Sequence, residues 1–253
     1  MSPDSAHRRW IRLIPIGIVL GTLAFFAGLL GAGRHPARPV HPLTGRQIAG
    51  IATDAQWMDR SPREQDEQPE KALDLIGVSP GTVVADVGAG SGYMTLRLAN
   101  RGVPSGQVYA NDLQPALLHI VEDKAGRARL ANVKTVLGTE EDARLPEHAI
   151  DLVLLVDVYH EFSRPEPMLQ SLRRALKPDG RLVLVEYRKE DPAIPIAATP
   201  RMSVADARTE IEAEGFRFEK TIEALPRQHI IIFRLAAGVS GAPSQNDIPP
   251  MAR

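Results

Sequence analysis

The chain has 253 residues, 43% apolar and 24% charged, which suits one α/β domain whose core needs neither disulfide nor metal. It contains no cysteine, so disulfides, thiol nucleophiles and cysteine-based zinc sites are excluded. The net charge of −1 hides an asymmetry: residues 1–46 hold six arginines against Asp4 alone, so the remainder is acidic and a poor generic partner for nucleic-acid phosphates.

The elements are taken in chain order. Leu13 to Gly33 runs 21 positions without a charge, behind His7, Arg8, Arg9 and Arg12. At about 1.5 Å per residue, a helix of that length spans a hydrocarbon core about 30 Å thick. Residues 1–33 are expected to be a transmembrane anchor or signal segment. The length favours a retained anchor, with cleavage after Gly31-Ala32-Gly33 and export as the alternative. Arginines flank both ends of the run, so charge does not assign a side of the membrane. Residues 34–68 read as a linker and N-terminal helical extension. RHPARPVHPLTGR (34–46) has the composition of an extended linker, and a polar stretch with Trp57 and a charged run follows.

From residue 69 onward, strands and helices alternate. Helices are expected at 69–78, 92–101, 115–130, 166–178 and 203–215. Strands are expected at 82–88, 106–112, 133–138, 149–158 and 180–188, with a closing strand pair at 216–225 and 228–236. Runs such as DLVLLV and RLVLV suit strands buried on both faces, so the sheet is expected to be mostly parallel. This places the main domain at 69–238 and a flexible tail at 239–253.

The first of these strands leads into VVADVGAGSGYMTLRLA (83–99), a glycine turn opening a helix. Ligands in open parallel sheets bind at the strands' carboxyl ends. A dinucleotide fingerprint, G-x-G-x-x-G on Gly88 and Gly90, would need glycine where Tyr93 stands. A phosphate loop would need Lys-Ser/Thr after Gly92, and none is there. The turn is D-x-G-x-G-x-G instead, led by Asp86, whose charge repels a pyrophosphate and suits a cation. The next strand ends at Asp112, 20 residues past Gly92, where a carboxylate can accept from a ribose diol. The two features describe a nucleoside site with acidic contacts.

ADVGAGSG (85–92), YANDLQ (109–114), EEDARLP (140–146), DLVLLVDVYHEF (151–162) and LKPDGRLVLVE (176–186) together resemble the class I S-adenosylmethionine-dependent methyltransferases. The resemblance covers roughly residues 69–236. It implies a Rossmann-like, doubly wound seven-stranded α/β sheet with the last strand antiparallel, and S-adenosylmethionine as cofactor. By that resemblance, Asp86, Gly88, Gly90 and Gly92 would face the cofactor's amino-acid part. Asp112 would hold the ribose, Glu141 or Asp142 the adenine amino group, and Leu113 and Ala143 would sandwich the ring. Asp157 is a further cofactor candidate.

Methyl transfer needs alignment, exclusion of water and, for some acceptors, a base. In the loop after the fourth strand, His160 and Glu161 are the base candidates and Tyr159 a pocket wall. Glu186 and Tyr187 stand second to them. No histidine spacing suggests a metal. VDVYHEF replaces the Asn-Pro-Pro-aromatic signature that goes with amino-group methylation of nucleic acid or protein. With the acidic domain, this points to a small-molecule or lipid-like acceptor, which a membrane anchor would suit. The alternatives are an NAD-dependent oxidoreductase, disfavoured by Tyr93, and a non-catalytic cofactor-binding protein of the same fold.

Overall fold

The computed structural model describes residues 39–102, 105–197 and 201–237. The expected anchor over 1–33 and the tail over 239–253 lie outside the described residues. Among the described residues no helix is long and apolar enough to cross a membrane.

Two single-turn helices, α1 (Ala55–Met58) and α2 (Arg63–Asp66), precede α3 (Pro69–Ile76). Then come β1 (Val83–Val87), α4 (Tyr93–Gly102), β2 (Gln107–Asp112), α5 (Pro115–Arg127), β3 (Val133–Leu137) and β4 (Ile150–Val156). After a 3-10 turn at Tyr159–Glu161 the chain continues as α6 (Pro165–Ala175), β5 (Leu176–Arg188), β6 (Arg201–Met202), α7 (Val204–Glu212), β7 (Phe216–Ile222) and β8 (Gln228–Leu235). The sheet runs β3-β2-β1-β4-β5-β8-β7, with the two-residue β6 paired to β5 off that path. β1 to β5 pair in parallel, and β8 is antiparallel to both β5 and β7. The expected seven-stranded order with an antiparallel last strand is therefore present. β6 was not anticipated, because two residues leave no periodic signal.

Side chains alternate across the sheet with period two, so each strand feeds two cores. Val87, Val153, Leu155, Leu184 and Ile231 face α6 and α7. Val84, Leu152, Leu154, Val183 and Ile230 face α3 and α4. This double burial explains the continuous apolar runs of β4 and β5. Pro69 at the start of α3 and left-handed Gly77 after its end set that helix's limits.

Residues 39–48 differ from the expected extended linker. They form a turn closed by His41 N–H on Arg46 O (2.8 Å) and an antiparallel bridge between Val40 and Gln47. Arg46 is buried against α7, its Nε and Nη2 donating to the two Glu210 carboxylate oxygens at 3.0 and 2.9 Å. The Thr44 hydroxyl also donates to Glu210. Composition suggested a free linker; the ion pair makes the segment part of the domain. Glu210→Ala leaves a buried arginine without its partner, so it is expected to cost about 3–5 kcal/mol of unfolding free energy, measured by denaturant titration; a loss below 1 kcal/mol would contradict this anchoring.

Candidate functional site

Strand order reverses between β1 and β4, so the loops leaving these two strands diverge and open a crevice at their carboxyl ends. The β1 loop turns through left-handed Gly88 (φ 72) and Gly90 (φ 53). A Cβ on Gly88 would lie 2.3 Å from the Val158 side chain, so glycine lets the β1 and β4 loops meet. The crevice is a cavity of about 220 Å³. Its floor comes from Asp86, Gly88 and Gly90, one side from Asp112 and Leu113, and another from Asp157, His160 and Glu161. Thr139 and Glu140, after β3, close a further side.

Acidic groups dominate it. Asp112 is mostly buried, its two oxygens accepting from the Gly90 and Gln114 amides at 2.9 Å. Burial raises its pKa against those backbone bonds. Asp86 accepts from the Thr95 hydroxyl (2.6 Å), and burial pushes its pKa up to about 6. Burial, then Glu67 and Glu186 nearby, push Asp157 up to about 8. Its Oδ2 accepts from Gln228 (2.8 Å), while its Oδ1 is buried with no hydrogen-bond partner. Burial also pushes Glu161 up to about 7, against the His160 charge and the Ala52 amide.

His160 is held by Glu186, a fully buried carboxylate on β5. Glu186 Oε1 accepts the Val158 and Tyr159 amides at 3.2 and 2.9 Å, and Oε2 lies 2.7 Å from His160 Nδ1. His160 Nε2 lies 3.9 Å from Glu161 Oε1. Burial opposes the imidazolium, but Glu186, with Glu161 and Asp157, outweighs it and raises the His160 pKa.

The structure thus brings Asp86, Gly88, Gly90, Asp112, Leu113, Asp157, His160 and Glu161 to one cavity. It does not bring Tyr159, Gly92, Glu141, Asp142 or Ala143 there. Tyr159 points into the core, edge-on to Phe162 with ring centroids 5.5 Å apart, with Arg46 over its ring. Gly92 faces α5, where a Cβ would sit 3.1 Å from Val121. Glu141 pairs with Arg164, and Asp142 accepts from the Ser171 hydroxyl and the Arg144 amide. Ala143 is fully buried. The register of EEDARLP is therefore displaced toward Glu140, because Asp142 is used to tie its loop to α6.

Sequence reasoning missed the wall supplied by the N-terminal extension: Ile51, Trp57, Met58 and Arg63. The one available signal was Trp57, an aromatic in a polar stretch.

Asp157 gives a stability test. Its folded pKa lies above the unfolded 3.8, so the fold favours the protonated form. The penalty is absent below pH 3.8 and grows as pH rises toward about 8. Asp157→Asn is expected to raise Tm at neutral pH, with a gain that shrinks as pH falls to 4, followed by thermal melts across that range. A gain independent of pH would show that the charge is not its source.

Residues 85–184 match the family described as "Methyltransferase domain". A ubiquinone/menaquinone biosynthesis C-methyltransferase, UbiE, of Ectopseudomonas mendocina is 31% identical over 127 residues, 50% of this chain and 49% of that protein. The chain spans about half the length of the curated relatives it matches. Among solved structures, a SAM-dependent methyltransferase from Aquifex aeolicus superposes with TM-score 0.67 at 26% identity, over 71% of this chain and 95% of that one. The [4+2]-cyclase SpnF superposes with TM-score 0.58 at 16% identity, over 80% and 90%, a likeness of fold alone.

The cavity's acidic groups fit S-adenosylmethionine. Its sulfonium and ammonium are cationic, and Asp86, Asp112, Asp157 and Glu161 all line the space. The unpartnered Oδ1 of Asp157 is a buried acceptor in want of a donor. Residues 85–184 thus match a methyltransferase domain, and the chain shares its fold with a methyltransferase that uses S-adenosylmethionine.

Proposed function

We propose that the chain methylates a small-molecule or lipid-like acceptor whose proton His160 removes. The observation that carries this reading is the Glu186–His160 pair on the cavity wall, 2.7 Å apart at Nδ1. With Nδ1 engaged by a carboxylate, Nε2 is the ring nitrogen left to take a proton. S-adenosylmethionine, when bound, supplies the electrophilic methyl group on its sulfonium. Asp112 would hold the ribose hydroxyls, and Leu113 would cover one face of the adenine. Asp86 and Asp157 would meet the ammonium end, with Arg63 at the same end for its carboxylate. Ile51, Val158, Phe162 and Ile196 supply apolar walls that exclude water and suit a lipid-like acceptor. The likeness to proteins named for quinone biosynthesis supports the same class.

Membrane attachment through Leu13–Gly33 belongs to this proposal and rests on the 21 uncharged positions. Full-length chain is expected to resist alkaline carbonate extraction from membranes, and a variant lacking 13–33 to be released. Extraction of both would remove the anchor from the reading.

The activity test is transfer of radiolabelled methyl from S-adenosylmethionine to membrane-lipid and soluble extract fractions. His160→Ala is expected to lower transfer by roughly 10²–10⁴-fold while leaving cofactor affinity within about threefold. Unchanged transfer would remove the base role. Cofactor binding without transfer in any fraction would favour a non-catalytic protein. Once an acceptor is labelled, the rate is expected to rise with pH as His160 loses its proton. Glu186→Gln removes the charge that raises the His160 pKa, so the profile should move to lower pH and its plateau fall.

For Asp112→Ala, calorimetry is expected to show cofactor binding weakened by roughly 1–3 kcal/mol. Equal affinities would contradict the ribose role.

A further inference from the structure

Residues 51–62 contain no buried side chain, although Ile48 and Arg63 on either side are both buried. Two fixed posts hold the ends of this stretch. At one end, Arg46 pairs with Glu210 and the Ala49 amide donates to His160 O (2.9 Å). At the other, Arg63 Nε donates to Glu67 Oε2 (2.6 Å), Arg60 Nη2 and the Tyr187 hydroxyl of β5 both donate to Glu67 Oε1 (2.6 and 2.8 Å), and Arg63 Nη1 donates to the Met58 carbonyl (2.7 Å). Between the posts, Ile51, Ala52, Trp57 and Met58 line the cavity.

Besides the bonds at the posts, polar contacts at two places tie the stretch down. The Ala52 amide donates to both Glu161 oxygens at 3.2 Å, and the Ala52 carbonyl accepts from Gln114 Nε2 at 2.9 Å. Asp59 accepts from the Ser91 hydroxyl (2.7 Å) and from Lys124 Nζ (2.5 Å). Each partner stands in a loop bordering the cavity or, for Lys124, beside it: Ser91 after β1, Gln114 after β2, Glu161 after β4. The Asp59 side chain is 37% exposed, and exposed ion pairs hold weakly. A segment with no buried side chain of its own, held by a few bonds at the edge of the cavity, has lower local stability than the strands of the sheet.

We propose that residues 50–59 are a gate over the cofactor pocket, hinged between the two buried posts, with Gln114 and Asp59 as the positioning residues that latch it. The proposal rests on the reading of this cavity as the S-adenosylmethionine site. A nucleoside reaching Gly90 and Asp112 passes this stretch, because Met58 lies against Gly90 and Ala52 is bonded to the residue two past Asp112. The latch at Ala52 also ties the gate to Glu161, so closure sets a group beside His160 as it covers the cofactor.

A gate and a fixed wall differ in kinetics. The test uses full-length chain carrying Trp10→Phe, so that Trp57 is the remaining indole, with S-adenosylmethionine and S-adenosylhomocysteine as probes in stopped-flow fluorescence. For a gate, Asp59→Ala and Gln114→Ala are each expected to raise both association and dissociation rates by about 3–10-fold, the effect of one lost hydrogen bond. Kd should then change less than about threefold. If dissociation alone quickens and Kd weakens in proportion, the stretch is a fixed wall and the proposal fails. Hydrogen exchange on unmodified chain is the second arm, independent of how the variants fold. Amides of 50–59 should exchange faster than those of β1 and slow when cofactor is added. Protection equal to β1 without cofactor overturns the gate. If unmodified chain binds neither probe, the cofactor reading fails, while fast exchange at 50–59 would still show the opening.

Discussion

The site depends on one buried carboxylate. Glu186 is fully enclosed on β5, yet it shapes the loop that leaves β4. Its Oε1 accepts two consecutive amides, which curls the chain into the 3-10 turn at Tyr159–Glu161. Its Oε2 fixes the imidazole of His160. A buried carboxylate needs donors to offset desolvation. Here two are backbone amides and the third is the His160 ring on the cavity wall. Loss of Glu186 would release the turn, the ring and the wall of the cavity together.

Around that point the molecule concentrates acidic groups. Asp86, Asp112, Asp157 and Glu161 all have pKa values raised by burial, and all line one cavity. The arrangement opposes stability in the free protein, since like charges in a dry space repel. It suits a cationic ligand, which would offset the repulsion on binding. Sites that work against the fold's own stability are where function is expected.

Much of the fold was legible because its signals are local. Alternating apolar strands and amphipathic helices, a glycine turn after β1 and an acid at the tip of β2 each sit within a few residues. The misplacements have physical causes. Tyr159 follows Asp157 and precedes His160, but the 3-10 turn sends its ring into the core rather than the cavity. Glu140, Glu141 and Asp142 are adjacent acids, and tertiary bonds to Ser163, Arg164 and Ser171 decide that Glu140 borders the cavity while the other two turn away. The segment 39–48 has a linker's composition, and a partner more than 160 residues away turns it into a post.

The sequence by itself determined the sheet, its antiparallel last strand and a glycine loop paired with Asp112 that suits a nucleoside rather than a phosphate. These follow from spacing and period, which are properties of neighbouring residues. The tertiary structure alone decided which acid borders the cavity after β3, that Glu186 holds His160, and that Ile51, Ala52, Trp57 and Met58 line the cavity. Each of those is a contact between segments far apart in the chain, and its energy comes from burial and hydrogen bonding that exist only once the sheet has brought them together.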